Sequence, residues 1–217
     1  MASDPVGSDP VSPIAVAVTG GIGAGKSAAL AAFRHHGAAI VSSDEIVHHL
    51  IRTDPDVKKE LVERLGEEVL DDDGVPDRER IAFRVFKDRE ALDFLEKLLH
   101  PLVSREYLTW REQLGALPNP PKVCVTEVPL LYEVGAETRF DKVVVITAPA
   151  KLREARRGGR KDDRESRLLP DREKVKRADF AYVNRGTPEE LDAWVGEVMA
   201  TLTAEHSTED TSEGAGE

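Results

Sequence analysis

At 217 residues, with 33% charged and 40% hydrophobic side chains, the chain is long enough for one soluble globular domain with a sizeable core and a small inserted lobe. Its apolar runs fall well short of the roughly 18 residues of a membrane span, and Met1-Ala2-Ser3-Asp4-Pro5 lacks the basic and apolar regions of a secretory leader. The single cysteine, Cys124, excludes an internal disulfide and reads, between Val123 and Val125, as a small core hydrophobe in a reducing cytoplasm.

The net charge of −11 is unevenly spread. Asp4, Asp9, Glu205, Glu209, Asp210, Glu213 and Glu217 stand in flanks of Ser, Thr, Gly, Pro and Ala that bury too little apolar surface to fold. What remains is mildly acidic, which argues against a general nucleic-acid binder, whose affinity rests on Lys and Arg against phosphates. One dense basic segment, Lys151 to Arg167, suits a small polyanionic ligand instead.

Residues 1–13 are expected to be a disordered leader. The apolar run Ile14–Thr19 predicts a first strand, and it leads into Gly20-Gly21-Ile22-Gly23-Ala24-Gly25-Lys26-Ser27. This G-x-x-x-x-G-K-S pattern is a phosphate-binding loop: glycine frees the backbone so that successive N–H groups face a polyphosphate. Gly21, Ile22, Gly23, Ala24 and Gly25 then line the phosphates, Lys26 reaches the β/γ-phosphates and Ser27 holds Mg²⁺. A helix from about Gly25 to His36 adds its positive end, and Gly37 stands in a helix-ending position. The G-x-G-x-x-G spacing of a dinucleotide fold is absent.

Ala38-Ala39-Ile40-Val41 predicts a second strand, followed by a helix that Ser43 or Asp44 caps. From Asp54 to about Leu117 the apolar spacing is that of amphipathic helices, with a turn at Asp71–Pro76, a break at His100-Pro101 and a last helix from about Leu102 to Leu114. This reads as a helical lobe inserted between two strands. Val123–Glu127 and Lys142–Thr147 are β-branched runs of the kind found in buried parallel strands. Lys151 to Arg177 is a charged helical stretch, and Phe180–Val183 is a final strand. Thr187-Pro188 with Glu190 forms a capping box for a helix to about Leu202, after which 203–217 is expected to be a disordered acidic tail. Five strands separated by helices predict an α/β fold with a parallel sheet, whose ligand edge lies at the carboxyl ends of its strands.

Asp44 stands at that edge, where a carboxylate takes a proton from an acceptor hydroxyl or positions Mg²⁺; capping the helix is its plainer role, and the two are compatible. Glu127 ends the third strand in an equivalent place and suits a water-mediated hold on Mg²⁺, against the plainer reading of a solvated acid. The basic segment reads either as a solvated helix laced with weak ion pairs or as a lid whose arginines stabilise charge on a transferring phosphoryl group. In the second reading Arg156, Arg160 and Arg164 act, and Gly158-Gly159 lets the lid bend. The six histidines show no metal-ligand spacing with Cys, Asp or Glu, so no zinc site is expected; His100 differs because the break fixed by Pro101 aims its imidazole into a cleft.

Taken in order, Val18–Ser27, Ser43-Asp44, Asp77-Arg78, His100-Pro101-Leu102-Val103, Val128-Pro129-Leu130-Leu131-Tyr132-Glu133, Arg177-Ala178-Asp179-Phe180 and Asn184-Arg185-Gly186 resemble the dephospho-coenzyme A kinase family over about Ile14 to Leu202. The resemblance implies transfer of the ATP γ-phosphate to the 3′-hydroxyl of the ribose of dephospho-coenzyme A. It implies a three-layer P-loop kinase fold in residues 14–202, with a five-stranded parallel sheet, a helical substrate lobe at about 54–117 and an arginine-rich lid at about 151–177. It makes Lys26 and Ser27 the phosphate and Mg²⁺ ligands, Asp44 the base, Arg156 and Arg164 the lid arginines, and Asn184 the adenine contact. Asp44, His100, Pro129 and Leu130 become acceptor contacts. The chain departs from the pattern with Ser43 for Ala, Glu127 for Asp, Ser104 for Arg and Leu168 for Gln. The resulting expectation is a cytoplasmic, monomeric enzyme that uses ATP and Mg²⁺, with neither nucleic acid nor membrane as partner. A nucleoside or nucleotide kinase with the same loop is the nearest alternative; a GTP-binding switch is disfavoured, because no Asn-Lys-x-Asp motif follows a strand.

Overall fold

A computed structural model describes residues 12–86, 88–158 and 168–213, with side chains to 204. In chain order it contains β1 (Ile14–Thr19), α1 (Lys26–His35), β2 (Ala39–Ser42), α2 (Ser43–Thr53), α3 (Pro55–Leu65), α4 (Arg78–Phe86) and α5 (Arg89–Gly115). These are followed by β3 (Val123–Glu127), β4 (Lys142–Thr147), α6 (Ala150–Arg156), α7 (Asp171–Arg177), β5 (Phe180–Val183) and α8 (Pro188–Glu213). The strands form one sheet in the order β2-β3-β1-β4-β5, and β1 pairs in parallel with both β3 and β4, as β4 does with β5. The expected parallel α/β sheet is therefore present. Its chain leaves β1 toward β2 and β3 on one side and returns through β4 and β5 on the other, so the loop after β1 lies at the topological switch point where such sheets bind ligands.

Successive side chains of a strand face opposite ways, and β1 and β4 supply both faces from one stretch of apolar sequence. Val16, Val18, Val144 and Ile146 enter a core with Phe33 of α1 and Leu191, Val195 and Leu202 of α8. Ala17, Val143 and Val145 enter another with Leu131, Tyr132 and Ala136. Cys124 lies wholly buried in β3. Among the described residues no helix is long and apolar enough to cross a membrane.

The chain divides into two units, Ser42–Trp110 and the residues before and after it. The helical unit has its own core of Val57, Leu61 and Leu65 with Ile81, Val85 and Leu99. Ile51 of α2 belongs to that core, which is why the lobe begins at Ser42 rather than at the expected Asp54. The expected turn is made by Asp71, whose Oδ1 accepts the N–H groups of Asp73 and Val75 at 3.0 and 2.8 Å.

Four expectations need correction or fall outside. The cap of α2 is Ser42, not Ser43 or Asp44: its hydroxyl accepts the Asp44 N–H at 3.1 Å, while the Glu45 carboxylate accepts the Ser42 N–H at 3.1 Å. The tail expected from 203 is helical to Glu213, since no proline or glycine interrupts 197–213. Of the leader, Ser12 and Pro13 are described, and the Pro13 carbonyl accepts from Arg111 Nε at 3.2 Å. Residues 1–11 and 159–167, with Arg160 and Arg164, lie outside the described residues.

Pro101 does not break the lobe's last helix; it lies inside α5. Leu99 is buried in the lobe core, and Leu98 and Leu102 pack against it, so residues on both sides of the proline are held to one helix. Pro101 has no N–H for the Lys97 carbonyl, whereas the His100 carbonyl accepts the Ser104 hydroxyl at 2.9 Å. Replacing Pro101 with Ala restores the missing bond at the expense of a freer unfolded chain. Pro101→Ala is expected to raise stability by about 1–2 kcal/mol in urea unfolding, and an unchanged or lowered midpoint would show that α5 is built around the ring.

Candidate active site

The loop after β1 is shaped by two close approaches. Gly20 has φ +144, and a Cβ there would stand 1.9 Å from the Ile146 carbonyl oxygen of β4. Gly25 has φ +103 and begins α1; a Cβ there would meet Asn184 Nδ2 at 2.2 Å. Asn184 occupies that space because it is a brace for the loop. Its Nδ2 donates to the Ala24 carbonyl at 2.9 Å, its Oδ1 accepts from Arg156 Nη2 at 3.3 Å, and its own N–H donates to Thr147 at 2.7 Å. Arg156 Nη1 donates to the carbonyls of Gly23 and Ala24, each at 3.3 Å. Asn184 and Arg156, expected to touch ATP, both donate to carbonyls of the phosphate-binding loop.

Lys26 lies in the first turn of α1 with Nζ 3.3 Å from the Gly21 carbonyl and 3.6 Å from Glu127 Oε1. Burial is the main reason its pKa falls below the ordinary lysine value, with Glu127 and Asp171 pulling it back up and Lys174 adding to the fall. Ser27 is exposed beside it. Thr19 Oγ1 donates to the Pro129 carbonyl at 3.4 Å, which ties the exposed Pro129 and half-buried Leu130 turn to the end of β1.

Two cations near the loop were not singled out in the sequence. Arg153 pairs with Asp171 at 3.6 Å and lies against the loop: its Nη1 would be 2.3 Å from a Cβ at Gly21. Lys174 is completely buried, with Nζ 2.8 Å from Glu133 Oε1, an oxygen that also accepts the Leu169 N–H at 2.7 Å. The Lys174–Glu133 contact is an ion pair by distance, yet its angles leave Lys174 Nζ and Glu133 Oε2 without a well-formed hydrogen bond. Nothing local marks Arg153 or Lys174, because each sits in a run of similar charges and only packing distinguishes it. Glu133 was legible solely as part of the family-like Val128–Glu133 stretch.

In the helical unit, Asp44 is freed from capping by Ser42 and makes a 3.6 Å ion pair with Arg78, both side chains being more than half exposed. Asp44, His48 and Arg52 recur at fours on α2, and with Glu45, His49 and Arg78 they line a cleft of about 560 Å³. His100, on α5, is exposed and not in this group.

A phosphate-binding loop leaving the central strand of a parallel sheet, backed by a strand-end acid, defines a P-loop nucleotide-binding protein of the kinase type. The chain belongs to the dephospho-CoA kinase family, whose profile matches residues 14–190. It is 34% identical over 194 residues to the dephospho-CoA kinase of Aquifex aeolicus, covering 87% of this chain and 97% of that one. It is 35% identical to the corresponding protein of Anaeromyxobacter dehalogenans, covering 86% and 91%. A crystal structure from Thermus thermophilus superposes with a TM-score of 0.67 at 33% identity, over 88% of this chain and 98% of that one.

Removing one partner of a buried ion pair leaves an uncompensated charge, whereas neutralising both is far milder. Lys174→Ala is therefore expected to lower stability by about 3–5 kcal/mol in urea unfolding. The double change Lys174→Met with Glu133→Gln, which keeps an acceptor for the Leu169 N–H, is expected to recover most of that loss. A single variant as stable as the parent would show that the pair carries no structural weight.

Proposed function

We propose that this chain transfers the γ-phosphoryl group of ATP to the 3′-hydroxyl of dephospho-coenzyme A, giving coenzyme A and ADP, the last step of coenzyme A synthesis. The observation that carries this reading is the family match over residues 14–190, anchored on an intact phosphate-binding loop braced by Asn184 and Arg156. Gly21 to Ser27 hold the phosphates, and Lys26 exchanges its contact with Glu127 for a phosphate oxygen, a better partner for a cation that burial disfavours. Asn184 contacts the adenine beside its hold on Ala24.

The Ser27 hydroxyl and the Glu127 carboxylate are hard oxygen donors, the chemistry Mg²⁺ takes, and they are the residues that would hold it. When bound, Mg²⁺ neutralises charge on the phosphate oxygens. Asp44 accepts the 3′-hydroxyl proton as that oxygen bonds to the γ-phosphorus and the bond to the ADP oxygen breaks. Arg156 and Arg164 balance charge on the moving group, while His100, Pro129 and Leu130 contact the acceptor. The enzyme acts as a monomer in the cytoplasm, with no nucleic-acid or membrane partner.

The test is ADP formation from ATP with dephospho-coenzyme A beside a panel of nucleosides and nucleotides. Turnover is expected with dephospho-coenzyme A above all others; turnover with another acceptor and none with dephospho-coenzyme A would overturn the assignment. Asp44→Asn is expected to lower kcat by about 10²–10⁴ with ATP affinity unchanged. A variant that keeps near-parental kcat would remove Asp44 from the role of base.

A further inference from the structure

We propose that His35, His36 and Asp192 form a surface site for a borderline divalent transition-metal ion, Zn²⁺ or its neighbours Co²⁺ and Ni²⁺, joining the end of the phosphate-loop helix to α8. The site is invisible in the sequence because Asp192 lies 156 residues beyond His36. Consecutive residues of a helix point about 100° apart and do not normally share a ligand. Here His36 is the residue that ends α1, with φ −85 and ψ 13, and the two ring centroids come within 4.9 Å.

Both imidazoles turn to the same carboxylate. His35 Nδ1 is 3.0 Å from Asp192 Oδ1; His36 Nε2 is 3.3 Å from Oδ2 and 3.1 Å from the Asp192 carbonyl. One ligand atom from each residue can be chosen so that all lie within 4.8 Å of one another. An ion with bonds of about 2.1 Å in a tetrahedral shell asks for donors roughly 3.4 Å apart, and the His35–Asp192 and His36–Asp192 carboxylate distances of 3.0 and 3.3 Å lie close to that spacing.

Two further features fit a built site. Gly196 sits one helical turn beyond Asp192, inside α8, where glycine is destabilising relative to alanine. A Cβ there would stand 3.0 Å from His36 Cε1, so the glycine leaves room for the ring. The negative end of the α1 dipole adds to the attraction for a cation. Two imidazoles and a carboxylate suit Zn²⁺, Co²⁺ or Ni²⁺, whereas Mg²⁺ prefers oxygen throughout, so the ion accompanying ATP does not compete. His35 is 71% exposed, which opens the site to solvent and leaves a position for water.

The test uses the full chain, freed of metal and without nucleotide. Zn²⁺ binding is measured by calorimetry, Co²⁺ binding by its visible absorption bands, and Tm with and without Zn²⁺. The expected result is a saturable equivalent that raises Tm, because an ion bound only by the folded state stabilises it. His35→Ala, at an exposed position, and Asp192→Asn are each expected to weaken that equivalent by about tenfold or more. No saturable Zn²⁺ binding by the parent chain overturns the proposal, as does parental affinity retained in both variants.

Discussion

Between Gly20 and Gly25 the chain runs so close to β4 and to the Asn184 loop that a side chain fits at neither position. This crowding fixes the loop from two sides: β4 at its start, and Asn184 with Arg156 at the point where α1 begins. The sheet order follows from the same requirement. β1 must be central to have β4 beside Gly20, and the segment after β5 must return to the loop to bring Asn184 against Gly25. Alternating cores on the two faces of β1 and β4 then hold the backbone that the loop depends on.

Charge around the loop is arranged in opposed pairs. Lys26 faces Glu127, Arg153 faces Asp171, and Lys174 faces Glu133. Lys26 and Arg153 are thereby kept beside the phosphate-binding backbone, each with an opposite charge to compensate it, as buried Lys174 has Glu133. The Coulombic influence of Lys174 reaches Lys26, so the most deeply buried pair belongs to the electrostatics of the loop as well as to its packing. A polyanion entering such a site meets positive groups already held in place, which limits the reorganisation its binding requires.

Strands β1, β3 and β4 were legible because buried parallel strands are continuous apolar runs, β2 and β5 were read from short apolar stretches, and the loop was legible because its glycines and Lys-Ser pair carry their own geometry. The cap of α2 was misplaced among three consecutive capping residues, although the Ser42 to Glu45 spacing already held the answer. Pro101 misled because a local rule met a stronger tertiary one: flanking leucines packed into the lobe core. Arg153 and Lys174 were hidden in charge runs, where burial depends wholly on distant partners. Asp44 lies in the first turn of α2, just after β2, and its pairing with Arg78, like that of Asp192 with two histidines, arises only when separate helices pack.

Cys124, fully buried in β3, takes on meaning beside the proposed product. Coenzyme A is itself a thiol, and a protein that releases it bathes in a reagent able to form mixed disulfides with accessible cysteines under oxidising conditions. The chain has no other sulfhydryl, and this one lies inside the sheet, where neither a thiolate nor an attacking sulfur is readily accommodated. With its only thiol thus sequestered, the enzyme is resistant to being capped by what it makes.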